Sequence, residues 1–430
     1  MTPATSDITP TLDAAGATAE AVAPPRVRRA LDWLAFLMAD MRDGIGPYLA
    51  VYLKGAAHWQ PSMIGTALAV NNIATALALI PAGLLVDALR CKRLLLAGAG
   101  LIIGFGTLLV VLAPRPAAVL PVQVILGAAA AFLGPGMIGL SLGLVGPQRL
   151  PARIARNEGF NHAGNLCGAL VIIAVTHVAG LAWIFYLACG YALASAAVVA
   201  LIPQAAIDHD VARGRREHGA PAISLGETLR RPGFAMFLLA VTLFHLGNAA
   251  MLPLAGQVLA ITHPGSDAAA MSACIIVAQA VMVGVAFVVG RASAAGFGRK
   301  PIFLVGLAVL PVRGVLFAFV TSPLGIVFVQ MLDGVGAGIF GVIATLIAAD
   351  LMRGSGRINF AQGLVALATG IGGAASNLGA GVIVEVLGYR AGFLALSAAA
   401  LAALALFSAA VPETRPEIVA RPAKMRREWG

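Results

Sequence analysis

The chain alternates between long apolar stretches and short polar segments, and twelve apolar stretches can be distinguished. A helix of about 20 apolar residues crosses the hydrocarbon core of a bilayer, so each stretch predicts one membrane-spanning helix. The longest polar interval separates the sixth stretch from the seventh and divides the chain into two halves of six. The predicted spans are residues 31–54, 63–86, 94–113, 118–144, 159–180, 183–203, 234–260, 269–290, 301–320, 324–349, 359–386 and 390–411.

The composition agrees, because 60% of the 430 residues are hydrophobic and only 11% are charged. Soluble domains carry about 25% charged residues. We therefore predict an all-α membrane protein with 12 transmembrane helices in two pseudo-symmetric six-helix bundles. The expected organisation is a disordered cytoplasmic tail at 1–28, an N-terminal bundle at 29–203, a central cytoplasmic loop at 204–232, a C-terminal bundle at 233–412 and a cytoplasmic tail at 413–430.

The basic residues predict the orientation of the helices. If both termini lie in the cytoplasm, 24 of the 29 Lys and Arg residues fall in cytoplasmic segments. Lys54, Arg115 and Arg390 fall in outer loops, and Arg42 and Arg313 lie within spans. This asymmetry is typical of a multi-pass inner-membrane protein. It also accounts for the net charge of +10 without a role for nucleic acid, because the basic residues are spread over seven segments.

Matching positions in the two halves predict an internal duplication, as in many secondary transporters. The matches lie mainly in the fourth and tenth spans, where a glutamine and a glycine recur at the same offset and small residues follow in both. The matched pairs are Gln123 with Gln330 and Gly127 with Gly334, each 207 residues apart, and Pro47 with Pro253, 206 residues apart.

The loop between the second and third spans carries the motif Gly83-Leu-Leu-Val-Asp87-Ala-Leu-Arg90-Cys91-Lys92-Arg93. With the twelve spans, the duplicated halves and the long central loop, it gives the chain a clear likeness to a known family. The chain resembles the major facilitator superfamily, whose hallmark in this loop is G-x-x-x-D-x-x-G-R-K/R. The resemblance covers about residues 30–412 and implies alternating access within the major facilitator fold. It also implies that Gly83, Asp87, Arg90, Lys92 and Arg93 form a cytoplasmic gate.

Two departures from the superfamily pattern narrow the expected activity. Proton-coupled members often carry an arginine at the position that Gln123 occupies in the fourth span. Drug:proton antiporters often carry a Gly-Pro pattern in the fifth span, and this fifth span lacks it. The common multidrug-antiporter assignment is therefore weakened.

Three charged residues, Asp40, Arg42 and Asp43, lie within the first predicted span. A charge at a helix centre costs about 2.5–3.5 kcal/mol on the insertion scale, so such residues usually face a wet cavity or a partner. Asp40 and Asp43 share a helix face, where two carboxylates repel each other unless one of them is protonated. We expect this pair to carry protons; the alternative is an ion-pair network that only orients the helices.

The resemblance implies that the first, fourth, seventh and tenth spans line a central cavity. Polar residues in and near these spans are candidates for its walls, although an amide or a histidine in a membrane helix is often only packed. The candidates for proton coupling or substrate binding are Asp40, Arg42, Asp43, Asn71, Asn72, Gln123, His245, Asn248, Gln330, Asp333 and Asn377.

An intramembrane ion pair is predicted between Arg313 and Asp333. The ninth and tenth spans are joined by a very short loop and are therefore antiparallel neighbours. At 1.5 Å per residue, the two side chains fall at a similar depth. Arg42 is the rival partner for Asp333, and for Arg313 a purely structural role is the alternative.

The sequence contains no Walker loop, no metal-ligand spacing and no catalytic arrangement outside the spans, so we expect no cofactor, no metal and no enzyme activity. The leading hypothesis is a secondary transporter that exports a small organic solute in a proton-coupled cycle. Its expected partners are the solute, protons and the lipid bilayer, and we expect a monomer. An importer or uniporter, with Arg42 holding a polar or anionic solute, is the close alternative. A non-transporting membrane sensor is the alternative of another class.

Overall fold

The computed structural model describes residues 24–39, 41, 45–146, 149–209, 212, 230–231, 233–352 and 358–415, and within them the regular secondary structure is helical. The first half contains α1 (Pro25–Ala39), α2 (Ile45–Gly55), α3 (Pro61–Ala88), α4 (Lys92–Leu112), α5 (Pro116–Ala130), α6 (Leu133–Val145), α7 (Leu150–Ala179) and α8 (Trp183–Ala200). The second half contains α9 (Phe234–Asn248), α10 (Met251–Thr262), α11 (Asp267–Ala294), α12 (Arg299–Phe317), α13 (Pro323–Leu351) and α14 (Ile358–Ala410).

These helices make twelve crossings, which confirms the predicted fold class. Three crossings are each built from two helices in sequence, namely α1 with α2, α5 with α6, and α9 with α10. The long α14 makes two crossings, because it bends sharply at Gly388, whose φ of 86° lies in the left-handed region that favours glycine. Ten described segments, α14 counted once, are long and apolar enough to cross a membrane. The second crossing of α14 and the pair α1–α2 complete the twelve.

Proline marks the first residue of several crossings. Helices α3, α5 and α13 begin at Pro61, Pro116 and Pro323, where the missing N–H costs no hydrogen bond. Helix α1 likewise begins at Pro25, so the last residues of the segment expected to be a disordered tail are helical. Pro25 is a local signal for the start of a helix. The prediction missed it because the segment contains few apolar residues.

The duplication is visible in how the helices cross. A Cβ atom at Gly127 would collide with the carbonyl oxygen of Asn71, and one at Gly334 would collide with that of Ala278. Both residues of the second contact lie 207 positions after those of the first. Helices α3 and α5 therefore cross in the same way as α11 and α13, and glycine is required at both crossings because only it permits this approach.

We call the face that carries residues 24 and 415 the terminal face and the opposite one the far face. The two halves pack closely at the far face. The Ser62 backbone N–H at the start of α3 donates to Glu385 Oε2 of α14 at 3.2 Å. Tyr48 and Ser272 share a hydrogen bond of 2.7 Å between α2 and α11. A Cβ atom at Gly381 would lie 2.7 Å from the carbonyl oxygen of Pro61.

An apolar cluster under the far face also joins the halves. It contains Tyr48, Val51 and Phe185 from the first half together with Ala260 and Met271 from the second, all of them buried. Apolar side chains of α2, α8, α10 and α11 thus form one continuous core there.

Candidate functional site

A cavity of about 360 Å³ lies between the halves, and both of them contribute to its walls. That volume is at the lower end of the range for small-molecule sites. Apolar side chains of α2, α3 and α10 form part of the lining, and no aromatic residue is found among the described lining residues. The polar lining residues are Asn71, Asn72, Gln123, Asn248, Arg313, Asp333 and Asn377.

The second half contributes a charged network centred on Arg313, whose side chain is 1% exposed. Arg313 Nη1 lies 2.7 Å from Asp333 Oδ1 and donates to Asn248 Oδ1 at 2.6 Å. Arg313 Nη2 donates to Gln330 Oε1 at 2.8 Å, and Gln330 Nε2 donates to Asp333 Oδ2 at 2.9 Å. The structure therefore brings four of the candidate residues from α9, α12 and α13 into one hydrogen-bonded unit.

The side chains of this network differ in how much of their surface is exposed to solvent. Gln330 is fully buried, whereas the Asp333 side chain is 21% exposed. The guanidinium group of Arg313 also lies over the Phe317 ring, 5.2 Å from its centroid. A buried guanidinium needs a counter-charge and acceptors, and this one has both. Asp333 is consequently the charged group of the network that a solute or a proton can reach from the cavity.

The polar residues that the first half contributes to the described lining are amides. Asn71 Nδ2 donates to Gln123 Oε1 at 3.0 Å and lies 3.3 Å from the Gln123 carbonyl oxygen. Gln123 and Gln330 are the pair matched at an offset of 207 residues, and each accepts a hydrogen bond from a neighbouring helix. The two walls thus share a glutamine and differ in its partner, which is Asn71 on one side and Arg313 on the other.

The remaining candidates are placed differently. Asn377 is buried on α14 and donates to the Gly373 carbonyl oxygen at 3.0 Å, next to Asn72. His245 is not among the described lining residues. Its Nδ1 lies 3.0 Å from the Val241 carbonyl oxygen, and its ring packs edge-on against Phe340 at 4.8 Å. His245 therefore takes part in aromatic packing inside the second half.

Asp40, Arg42 and Asp43 lie outside the described residues. Their described neighbours Met41 and Gly46 belong to the cavity lining.

Comparison with known proteins places the chain in a family. The family model of the Major Facilitator Superfamily matches residues 31–295 and 266–428. An uncharacterized MFS-type transporter of Mycobacterium tuberculosis is 43% identical over 401 residues, which are 91% of this chain and 94% of that protein. This chain belongs to the major facilitator superfamily.

Solved structures show the same fold at low sequence identity. A mutant of the nucleoside transporter NupG is 14% identical, with a TM-score of 0.75 over 90% of this chain and 100% of that one. A bacterial homologue of the human lysosomal transporter Spinster, in an inward-facing and occupied conformation, is 12% identical, with a TM-score of 0.70 over 89% and 96%. As a superfamily member, the chain is a multi-pass membrane transporter of small molecules and not an enzyme.

The hallmark loop of the superfamily makes contacts within the first half. Lys92 is fully buried and its ammonium group donates to the carbonyl oxygens of Val86 and Leu89 at the end of α3. Arg93 donates to the Val199 and Ala200 carbonyl oxygens at the end of α8, at 3.2 and 3.1 Å. Both side chains donate to carbonyl oxygens that have no partner within the helix at its C-terminal end. Their positive charge also interacts favourably with the negative end of the helix dipole.

The other members of the loop motif are Gly83, Asp87 and Arg90. A Cβ atom at Gly83 would meet no neighbour within 4 Å. The Arg90 carbonyl oxygen accepts a hydrogen bond from Gln204 Nε2 at 2.9 Å. The side chain of Asp87 lies outside the described residues, so its expected gate role stays a prediction.

Sequence reasoning missed a second ionic cluster, which joins α1 to α7 at the terminal face. Asp32 is buried and lies 2.7 Å from Arg153 Nη2 and 2.8 Å from Arg156 Nη2. Arg153 Nε also donates to Asn157 Oδ1 at 2.7 Å. The available signal was Asp32 itself, an acid at the edge of an apolar span, whereas the two arginines were interpreted only as topology signals.

Proposed function

We propose that this protein is a proton-coupled secondary transporter that exports a small polar organic solute by alternating access. The observation that carries the proposal is the Arg313–Asp333 pair, which lies in the wall of a cavity shared by both halves. Ionisable residues inside membrane helices are costly and usually mark a substrate or proton pathway. We further propose that the protein acts as a monomer.

The lining chemistry supports a polar solute. Four asparagines and one glutamine line the cavity, and no aromatic side chain is present among the described lining residues to stack on a planar ring. Arg313 is already neutralised by Asp333, so within the described lining no cation is left for an anionic solute. Hydroxyl, amide or ammonium groups of a solute match the amides and the accessible carboxylate.

Proton coupling is proposed to act through Asp333. Protonation of its carboxylate would remove the ion pair with Arg313, while Gln330 and Asn248 would still accept hydrogen bonds from the guanidinium group. A solute that donates a hydrogen bond to Asp333 would then compete with the proton for the same oxygen atoms. Such competition is what exchange of solute against protons requires. Asp40 and Asp43 remain candidates for a second proton site.

Alternating access is supported by the packing at the far face. The contacts of Ser62 with Glu385 and of Tyr48 with Ser272 must break before the cavity can open to that side. In the state that closes the terminal face instead, Asp87 and its neighbours in the hallmark loop are proposed to hold the halves together. The described contacts of Lys92 and Arg93 join helix ends within the first half.

The terminal face is proposed to be the cytoplasmic face of the inner membrane. The segments predicted to be cytoplasmic carry 24 of the 29 basic residues and the predicted outer loops carry three, which matches the positive-inside rule. Export then means uptake of the solute from the terminal face and release at the far face. The direction of transport is measured directly by solute flux in proteoliposomes.

The proposal is tested with purified protein in proteoliposomes. A thermal-shift screen against metabolites and drugs first identifies a ligand, and flux of that ligand is then followed with and without an imposed pH gradient. A coupled exporter moves the solute against its gradient when protons flow the opposite way. Flux that does not depend on the pH gradient would identify a uniporter. Flux in the same direction as the protons would identify an importer, and binding without flux would identify a sensor. Each of these three outcomes contradicts the proposal.

A further inference from the structure

A second cavity lies on the terminal face of the first half, away from the central one. It has a volume of about 640 Å³ and is formed by the start of α1, the end of α6 and the start of α7. Most of its lining residues are arginines. The charged residues around it are Arg28, Arg29, Arg149, Arg153, Arg156 and Asp32.

Both oxygen atoms of the one carboxylate in the described lining already contact arginines. Asp32 Oδ1 lies 2.7 Å from Arg153 Nη2 and accepts from Arg156 Nε at 2.8 Å, while Oδ2 accepts from Arg156 Nη2 at the same distance. Arg28, Arg29 and Arg149 make no side-chain ion pair within the part of the chain that the structure describes. The pocket thus holds five guanidinium groups and one carboxylate.

The positive-inside rule does not account for this arrangement. That rule requires basic residues in the loops of one face, and solvated side chains pointing in different directions satisfy it. Here the five arginines converge from two helices onto one cavity, and Arg153 has a side chain only 5% exposed. Arg28, Arg29, Arg149 and Arg156 are exposed, and with one carboxylate among the described lining residues the cavity carries a net charge of +4, which favours an anion within it.

We propose that this pocket binds a phosphate group. Guanidinium groups match phosphate oxygens with paired hydrogen bonds, and basic pockets between membrane helices on the positively charged face bind lipid head groups. The N-terminus of the long helix α7 also opens at the pocket and adds a positive dipole end. The phosphate can come from a phospholipid or from a soluble phosphate compound, and the recognition chemistry is the same for both.

One feature of α1 favours the lipid source. Trp33 follows Arg29 by four residues, so the two side chains share one helix face. Trp33 is 55% exposed and its ring meets Phe36 edge-on at 5.6 Å. Exposed tryptophan at the end of a membrane helix is typical of the head-group level of a bilayer.

The test measures binding of dioctanoyl phosphatidylglycerol, dioctanoyl phosphatidylcholine and inorganic phosphate to the full-length protein in detergent, by native mass spectrometry and by thermal shift. The pocket variant is Arg29→Gln with Arg149→Gln, which leaves the Asp32 cluster intact. The matched control is Arg230→Gln with Arg291→Gln, which removes two exposed arginines outside the pocket, one from the central loop and one from the second half. Both variants lose the same charge.

We expect phosphatidylglycerol to bind wild type and the control alike, and the pocket variant about thirtyfold more weakly, at about 1 kcal/mol per arginine. Loss of inorganic phosphate binding in the pocket variant alone would support the site with a soluble source. Equal binding of phosphatidylglycerol and phosphate to the pocket variant and the control would overturn the proposal. So would binding of phosphatidylcholine as tight as that of phosphatidylglycerol, because the net charge of the head group would then not matter.

Discussion

Arg313 and Asp333 lie 2.7 Å apart at the two positions that Gly106 and Leu126 occupy in the first half, 207 residues earlier. The earlier pair is also in contact, because a Cβ atom at Gly106 would collide with Leu126 Cδ2. Gly106 thus corresponds to Arg313 and Leu126 to Asp333, so an apolar contact in the first half matches an ion pair in the second. The charge pair breaks the symmetry of the two halves at the wall of the central cavity.

Removal of Arg313 should destabilise the protein more than removal of both partners. Arg313→Ala leaves Asp333 without its counter-charge, and the loss of one partner of a buried pair costs about 3–5 kcal/mol in soluble proteins. The double change with Asp333→Ala should recover part of this loss, measured as the midpoint of thermal unfolding in detergent. Additive effects of the two single changes would show that the residues do not interact.

A control for that experiment exists at the terminal face. Arg299 Nε lies 3.3 Å from Asp350 Oδ2, and both side chains are 14% exposed. Because Arg299 is partly exposed whereas Arg313 is buried, we expect the double-mutant cycle of Arg299 and Asp350 to give a smaller coupling, about 0.2–1 kcal/mol. A coupling as large as that of Arg313 with Asp333 would mean that burial in the cavity wall is not what makes the latter pair strong.

The far-face contact should depend on a glycine of α3. A Cβ atom at Gly65 would collide with the Asn377 carbonyl oxygen, whereas one at Gly190 would meet no neighbour within 4 Å. Gly65→Ala should therefore push α3 and α14 apart and expose the cavity to the far side. We expect faster labelling of a cysteine at Asn72 by an impermeant maleimide, in a background lacking the four native cysteines. Equal labelling rates in Gly65→Ala and the control Gly190→Ala would contradict this account of the closed face.

Glu413 should stabilise the start of α12 in a pH-dependent way. Burial raises the pKa of its carboxyl group, but hydrogen bonds from the backbone N–H groups of Arg415, Arg299, Lys300 and Thr414 outweigh burial and hold the pKa below its ordinary value. The stabilisation is present above the ordinary pKa of glutamate and is lost as the pH falls through the lowered value. Acidification from pH 6 to pH 3 should therefore narrow the difference in unfolding midpoint between wild type and Glu413→Gln. A difference that stays constant over this range would rule out the charged cap.

Labelling of intact cells should establish the orientation. In the same cysteine-free background, single cysteines at Lys54, Arg115 and Arg390 should react with an impermeant maleimide from outside. A cysteine at Arg291, on the terminal face, should react only after the membrane is opened. Labelling of Arg291 from outside would reverse the proposed topology.

Much of the fold could be predicted, because its signals are local or periodic. Twelve apolar stretches of sufficient length define the crossings, and the constant offset between Gln123 and Gln330 reveals the duplication. The contact of Arg313 with Asp333 could also be anticipated, since a short loop makes their helices antiparallel neighbours and fixes their relative depth.

Other features depend on contacts that sequence spacing does not encode. Asp32 meets arginines more than 120 positions away, on a helix that is not its neighbour in sequence. Lys92 belongs to a recognisable motif, but only the fold shows that its side chain turns back onto the carbonyl groups of α3. His245 lies in a cavity-lining crossing, yet its position on the helix directs it into aromatic packing.

The central claim is that Asp333 carries the coupling proton, and Asp333→Asn tests it. The amide keeps the size of the side chain and can still accept a hydrogen bond from Arg313, but it cannot exchange a proton. The matched control is Asp350→Asn, which makes the same change in the ion pair outside the cavity. The decisive measurement compares solute counterflow with pH-gradient-driven flux in proteoliposomes at equal protein content. We predict that Asp333→Asn retains counterflow and loses the gradient-driven flux, while Asp350→Asn retains both; gradient-driven flux at the wild-type rate in Asp333→Asn would contradict the account.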